Sequence, residues 1–269
     1  MKKLLKALAL AAAIASVAPA QAAVVIGGLT IPTEGVFTSV ASVYENIITA
    51  VGQTLRGVGE VSQIDGVNIG SLCAGCELTY RFDNYVVTSL SPTQVTFSGG
   101  IIQFYLDFGG AATDFNPFAS ADSATDLINA TNGTLFLTLA GHAIDAAGNT
   151  FIGTGVNIGL FDPIGFGSGL ADVIAGGIAQ AYFDTNSIAA SFGGPADFQI
   201  GSSFSSVVVP HPGECPSDAP SGPECLFGSL DARGLVTAIP EPESVALFGV
   251  ALLGLVASTR RRGKAAVAV

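Results

Sequence analysis

The 269-residue chain has no tryptophan and almost no positive charge away from its ends. All four lysines (Lys2, Lys3, Lys6, Lys264) and three of the six arginines (Arg260, Arg261, Arg262) lie near the termini. Between residues 23 and 239, 19 acidic residues face only Arg56, Arg81 and Arg233, a net charge of −16. Phosphate recognition by counterion release needs clustered Lys and Arg, so a nucleic-acid partner is excluded. A lysine-dependent nucleotide loop is excluded for the same reason. There is no G-x-G-x-x-G run, and the serine in Gly165-Phe166-Gly167-Ser168-Gly169 has the wrong spacing for a nucleophile elbow. No repeat of 20 to 50 residues recurs, which disfavours a solenoid or propeller. What is present is 49% apolar residues with 12% charged, the composition of a chain with a buried core.

The two ends read as addresses. Residues 1–22 run from Lys2, Lys3 and Lys6 through an alanine-rich apolar stretch to Ala20-Gln21-Ala22, a secretory signal peptide with cleavage expected before Ala23. Residues 239–263 run from Pro240-Glu241-Pro242 through an apolar stretch to Arg260-Arg261-Arg262, with a short tail at 264–269. As a helix, residues 244–259 rise about 24 Å against a hydrocarbon core of about 30 Å, a marginal membrane anchor whose arginines face the cytoplasm. This three-part end resembles the PEP-CTERM sorting signal of Gram-negative bacteria. The resemblance implies an exosortase as processing partner, transient anchoring in the membrane, removal of the helix, and delivery to the outer surface or extracellular matrix.

The body, residues 23–238, alternates with period two. Leu78, Tyr80 and Phe82 share one face of 77–83 while charged residues share the other. Stretches 93–97, 102–108 and 134–142 alternate similarly, and weaker strands are expected at 57–64, 150–158, 179–183, 198–209 and 235–238. Turn residues such as Ser91-Pro92, Gly99-Gly100, Asn132-Gly133 and Gly148-Asn149 separate them. Residues 39–55 have apolar positions at helical spacing but many β-branched side chains, which leaves helix or strand open. Residues 122–130 allow one or two helical turns. The expected fold class is all-β, a β-sandwich or other two-layer domain.

Export makes disulfides the default for the four cysteines; of the three possible connectivities, Cys73 with Cys76 and Cys215 with Cys225 is favoured, because Pro, Ser and Gly between the latter let their ends meet. The second loop is worth about 2 to 3 kcal/mol in the chain-entropy model. A redox role for Cys73-Ala74-Gly75-Cys76 is disfavoured because the pair leads into a strand and not a helix. Zinc, which His142 or His211 would complete, lacks a second Cys pair. His142 ends a strand on the face opposite Leu135, Leu137 and Leu139 and reads as a hydrogen-bonded structural residue; His211 lies between two prolines. Asp114, Asn116, Asp122 and Asp126 lie within thirteen residues of loop, a weak calcium set without EF-hand spacing that reads more readily as solvated turn acids. No catalytic residues, metal or cofactor are assigned.

Parts of the body also resemble the flocculation-associated PEP-CTERM proteins. The stretches are Cys76-Glu77-Leu78-Thr79-Tyr80 into Phe82-Asp83-Asn84-Tyr85, then 135–142, then Ala181-Tyr182-Phe183-Asp184-Thr185-Asn186. That resemblance implies a non-enzymatic role in retaining exopolysaccharide and building flocs. The sequence therefore points to a structural or adhesive matrix protein acting on extracellular polysaccharide. The alternatives are a calcium-assisted carbohydrate-binding module and a secreted glycoside hydrolase, which needs two suitably spaced carboxylates.

Overall fold

The computed structural model describes residues 23–109, 114–118, 123–160, 162–207 and 225–238. The signal peptide and the sorting signal lie outside the described residues. The chain divides into two compact units, Met1–Thr237 and Ala238–Val269, and the fold below belongs to the first.

The elements are, in order, β1 (Val24–Ile26), β2 (Leu29–Ile31), β3 (Gly35–Glu45), β4 (Thr54–Ile64), β5 (Val67–Asn68), α1 (Ile69–Leu72), β6 (Cys76–Ser91), β7 (Gln94–Phe108), α2 (Ser123–Asn129), β8 (Thr134–His142), β9 (Asn149–Val156), β10 (Ile164–Val173), α3 (Gln180–Phe183), β11 (Phe198–Val207) and β12 (Cys225–Val236). Each long strand pairs antiparallel with the next, and β12 pairs back onto β3 from Leu226↔Glu45 to Val236↔Gly35. The sheet is therefore closed. Strands β8 and β9 lie in succession along one stave: β7 and β10 each pair with both, through different segments. Between them the chain makes an excursion held by Asp145, whose Oδ1 accepts the Ala147 and Asn149 amides at 2.9 and 3.0 Å. The result is an up-and-down barrel of eight staves. The all-β reading holds, and its two layers are opposite walls of one closed sheet, which removes the exposed strand edges a sandwich would leave.

Alternation sets the inside. Val43, Leu78, Phe82, Ile102 and Leu139 are buried within the barrel, while Thr38, Arg81, Asp83 and Gln103 face outward. Barrels that span membranes have the opposite arrangement, apolar outside. Among the described residues no helix is long and apolar enough to cross a membrane. Two inward positions on β4 are glycine for a steric reason. A side chain at Gly57 would run into the Tyr44 carbonyl and the Phe82 ring, and one at Gly59 into the Ser42 carbonyl and the Tyr80 ring. The rings of β6 thus cover the gaps left on β4.

One end of the barrel is filled by the β1–β2 hairpin (Val24, Ile26, Leu29 and Ile31 all buried), by Ile69 and Leu72 of α1, and by Phe183. The Phe183 ring lies 5.0 Å from Phe37 and 5.6 Å from Phe198. Here the strand expected at 179–183 is instead the helical turn α3, which swings Phe183 into the barrel end; an extended chain would put Tyr182 and Phe183 on opposite faces. Residues 39–55 form the end of β3, a loop and the start of β4. Their helix-like spacing arises because Tyr44, on the outer face, is also buried, against Val58, Phe115 and Ala130. The turns expected at 122–130 are α2.

Candidate functional site

The interior at the end opposite the hairpin holds a cavity of about 60 Å³, bounded by β3, β4, β6, β7, β9, β11, β12 and the loops before β4 and β10. Its walls are apolar, among them Val43, Phe82, Phe97, Ile102, Phe151 and Ile200. The one ionisable carboxyl among them is Glu45, the last residue of β3, which the strand's alternation turns inward two places beyond Val43. It is 8% exposed, and its carboxyl has no side-chain hydrogen bond among the described residues. Burial pushes its pKa up to about 8, so at neutral pH it is held largely as the uncharged acid.

A second group of acids lies on the outer face of β4 and β6, beneath the segment leading to β8. Glu77 is buried, and burial followed by the charges of Glu60 and Asp114 pushes it up to about 7. Glu60 is also raised, by burial. Burial, with the Asp126 charge, raises Tyr44 to about 12. The expected calcium ligands divide here. Asp114 Oδ2 accepts the Asn132 amide at 3.0 Å, Asn116 Oδ1 accepts the Phe118 amide at 3.2 Å, Asp126 is buried, and Asp122 lies outside the described residues. Among the described residues no three His, Cys, Asp or Glu side chains group as a metal site.

His142 ends β8 on the face opposite Leu137 and Leu139 and is buried. Its Nδ1 faces the Asp172 carboxylate of β10 at 2.8 Å and its Nε2 the Phe192 carbonyl at 2.8 Å. Burial lowers its pKa, but the Asp172 hydrogen bond, the Phe192 carbonyl and the Asp172 charge outweigh it, and the net shift is upward. Both nitrogens are occupied by acceptors, which makes the ring a tie between β8 and the loop ahead of β11. His211 lies outside the described residues.

Cys73 and Cys76 are joined by a disulfide, Cα atoms 5.6 Å apart, between α1 and β6. Cys215 lies outside the described residues, and Cys225 opens β12. On the outer wall, β3, β10, β11 and β12 frame a groove of about 380 Å³ that includes Thr38, Val40, Ser168, Gln199, Asp231 and Arg233. Arg233 stands directly between Thr38 and Gln199 in the ladder, and partial burial raises the Asp231 pKa.

Sequence reasoning did not single out Glu45, Asp172 or the groove. Glu45 is one acid in a stretch whose strand register was open, and only that register places it inside. Asp172 lies in the glycine-rich β10, where alternation is weak.

The comparison with protein families finds a PEP-CTERM protein-sorting motif at residues 238–262. It covers the Pro240-Glu241-Pro242 triplet, the apolar stretch and the arginines. No curated protein and no solved structure matches the chain. The motif marks an exported, exosortase-processed chain that is transiently anchored in the membrane.

Proposed function

We propose that this exported, exosortase-sorted chain is a non-enzymatic structural or adhesive protein of the outer surface or extracellular matrix, which retains extracellular polysaccharide in cell aggregates such as biofilms or flocs. The observation that carries the reading is the sorting motif, which begins two residues after the last barrel strand, so that sorting delivers the barrel domain as a whole. The candidate chemistry for catalysis is committed elsewhere: His142 is held between Asp172 and a carbonyl, and Glu77 is buried where no sugar reaches it. With 19 acids against three arginines, direct ionic capture of an acidic polymer is unfavourable. Neutral sugars, apolar contacts or divalent-cation bridges are the routes left, and the groove beside Asp231 and Arg233 is suited to neutral hydroxyls.

Deleting the gene tests this. Aggregates should disperse while the amount and chain length of secreted polysaccharide stay unchanged, and His142→Ala should restore aggregation on complementation. A change in polymer chain length would replace this reading with a hydrolase.

The second reading is a carbohydrate-binding module assisted by calcium, for which the groove's Thr38, Ser168 and Gln199 offer hydroxyl partners. Glycan-array binding that disappears with chelator would select it.

A further inference from the structure

We propose that the barrel interior is a binding site for a small uncharged apolar molecule bearing one hydroxyl group, with Glu45 as the hydrogen-bonding partner of that hydroxyl. This is independent of the adhesive role, which concerns the outer wall.

The free space is local. Around Phe37, Phe104, Phe136 and Phe183, toward the plugged end, the space left is about 20 Å³, whereas the level of Glu45 keeps about 60 Å³. Part of that room comes from Gly153, an inward position on β9 where a side chain would meet Val95. Water is poorly suited to fill it. An ordered buried water needs two to four polar partners, and the polar side chains lining the cavity are Glu45, Tyr85 and Ser202 amid some seventeen apolar or glycine positions. A mostly apolar cavity with a single carboxyl gains from a ligand that matches both features.

The chemistry of Glu45 selects the head group. The residue is 8% exposed and its carboxyl carries no side-chain hydrogen bond among the described residues, so it is open to a partner on the cavity side. As the uncharged acid it can donate one hydrogen bond and accept another, which a hydroxyl reciprocates. A carboxylate ligand would bring a charge into apolar walls beside an acid, and an ammonium would require Glu45 to ionise there. Size selects the body. At about 10 to 15 Å³ for each water-sized position, the cavity takes a chain of roughly four to six heavy atoms. The approach is apolar too: Leu160 is exposed in the loop whose Ile158 and Gly159 line the cavity, and Val156, Ile164 and Phe166 are exposed on the adjoining strands.

The test is a titration of straight-chain alcohols from propanol to octanol into the exported protein carrying 13C-labelled Ile, Leu and Val methyls. Saturable shifts are expected at Ile102, Ile200 and Leu230, with affinity peaking at intermediate chain length and falling for octanol. Glu45→Leu, which keeps the apolar lining but removes the partner, should weaken the best alcohol at least tenfold. Matched alkylamines and carboxylates should bind more weakly than the alcohol. Shifts that grow linearly without saturating, shifts confined to the outer methyls of Val156 and Ile164, or equal binding by Glu45→Leu would each overturn the proposal.

Discussion

His142 Nδ1 lies 2.8 Å from an Asp172 carboxylate oxygen across β8 and β10, with the second imidazole nitrogen facing the Phe192 carbonyl. A neutral imidazole donates from one nitrogen only, so two acceptors on the two nitrogens favour the doubly protonated form. That is the physical content of its raised pKa.

The folded pKa of His142 lies above its unfolded value of about 6.5. Its contribution to stability is therefore fully present below that value and is lost as pH rises through the folded pKa. Asp172 is 38% exposed at its side chain, so screening limits the pair. His142→Ala should lower stability by about 1 to 2 kcal/mol at pH 6 and by less at pH 9. Chemical denaturation at the two pH values checks it, with Asp172→Asn expected to show the same sign.

Glu45 and Glu77 act in the same direction. Their pKa values of about 8 and about 7 stand above the ordinary 4.5, so their contribution is fully present below about 4.5 and stability falls from there, the Glu77 part levelling off above about pH 7 and the Glu45 part above about pH 8. Glu45→Gln keeps the shape and removes the upper step. Calorimetry at pH 5 and pH 9 should give similar melting temperatures for wild type and variant at pH 5, and a higher one for the variant at pH 9.

Gly59 is fixed by its neighbour across the ladder. Tyr80 covers it and donates a 2.5 Å hydrogen bond to the Ser42 carbonyl, the same oxygen a Cβ at Gly59 would strike. Gly59→Ala should cost about 2 kcal/mol or more by displacing both. Gly201→Ala on β11, where a Cβ meets nothing within 4 Å, should change stability by less than about 0.5 kcal/mol. Urea denaturation of the two variants separates a steric requirement from a general dislike of alanine.

Much of the barrel was legible because one face of each stave is wet. Residues 77–83, 102–108 and 134–142 alternate cleanly, and each lies in a strand. Legibility failed where that condition failed. Tyr44 is buried on the outer face beneath Phe115, so 39–55 lost its alternation. Strands β10 and β12 went largely unread because glycines at 165, 167, 169 and 228 leave few side chains to alternate. Closure was beyond reach from local pattern, since Gly35 and Val236 meet only through long-range pairing. The same applies to Glu45: its residue type is plain in the sequence, but the cavity around it is made by seven strands and two loops.

Sorting by exosortase is tested most directly by mass spectrometry of the terminal peptides of the matrix-associated protein. The expected form begins near Ala23 and has lost residues 245–269, since the sorting motif carries Pro240-Glu241-Pro242 as its recognition triplet ahead of the apolar stretch that is to be removed. Recovery of intact Arg260-Arg261-Arg262 in the matrix-associated form would contradict it.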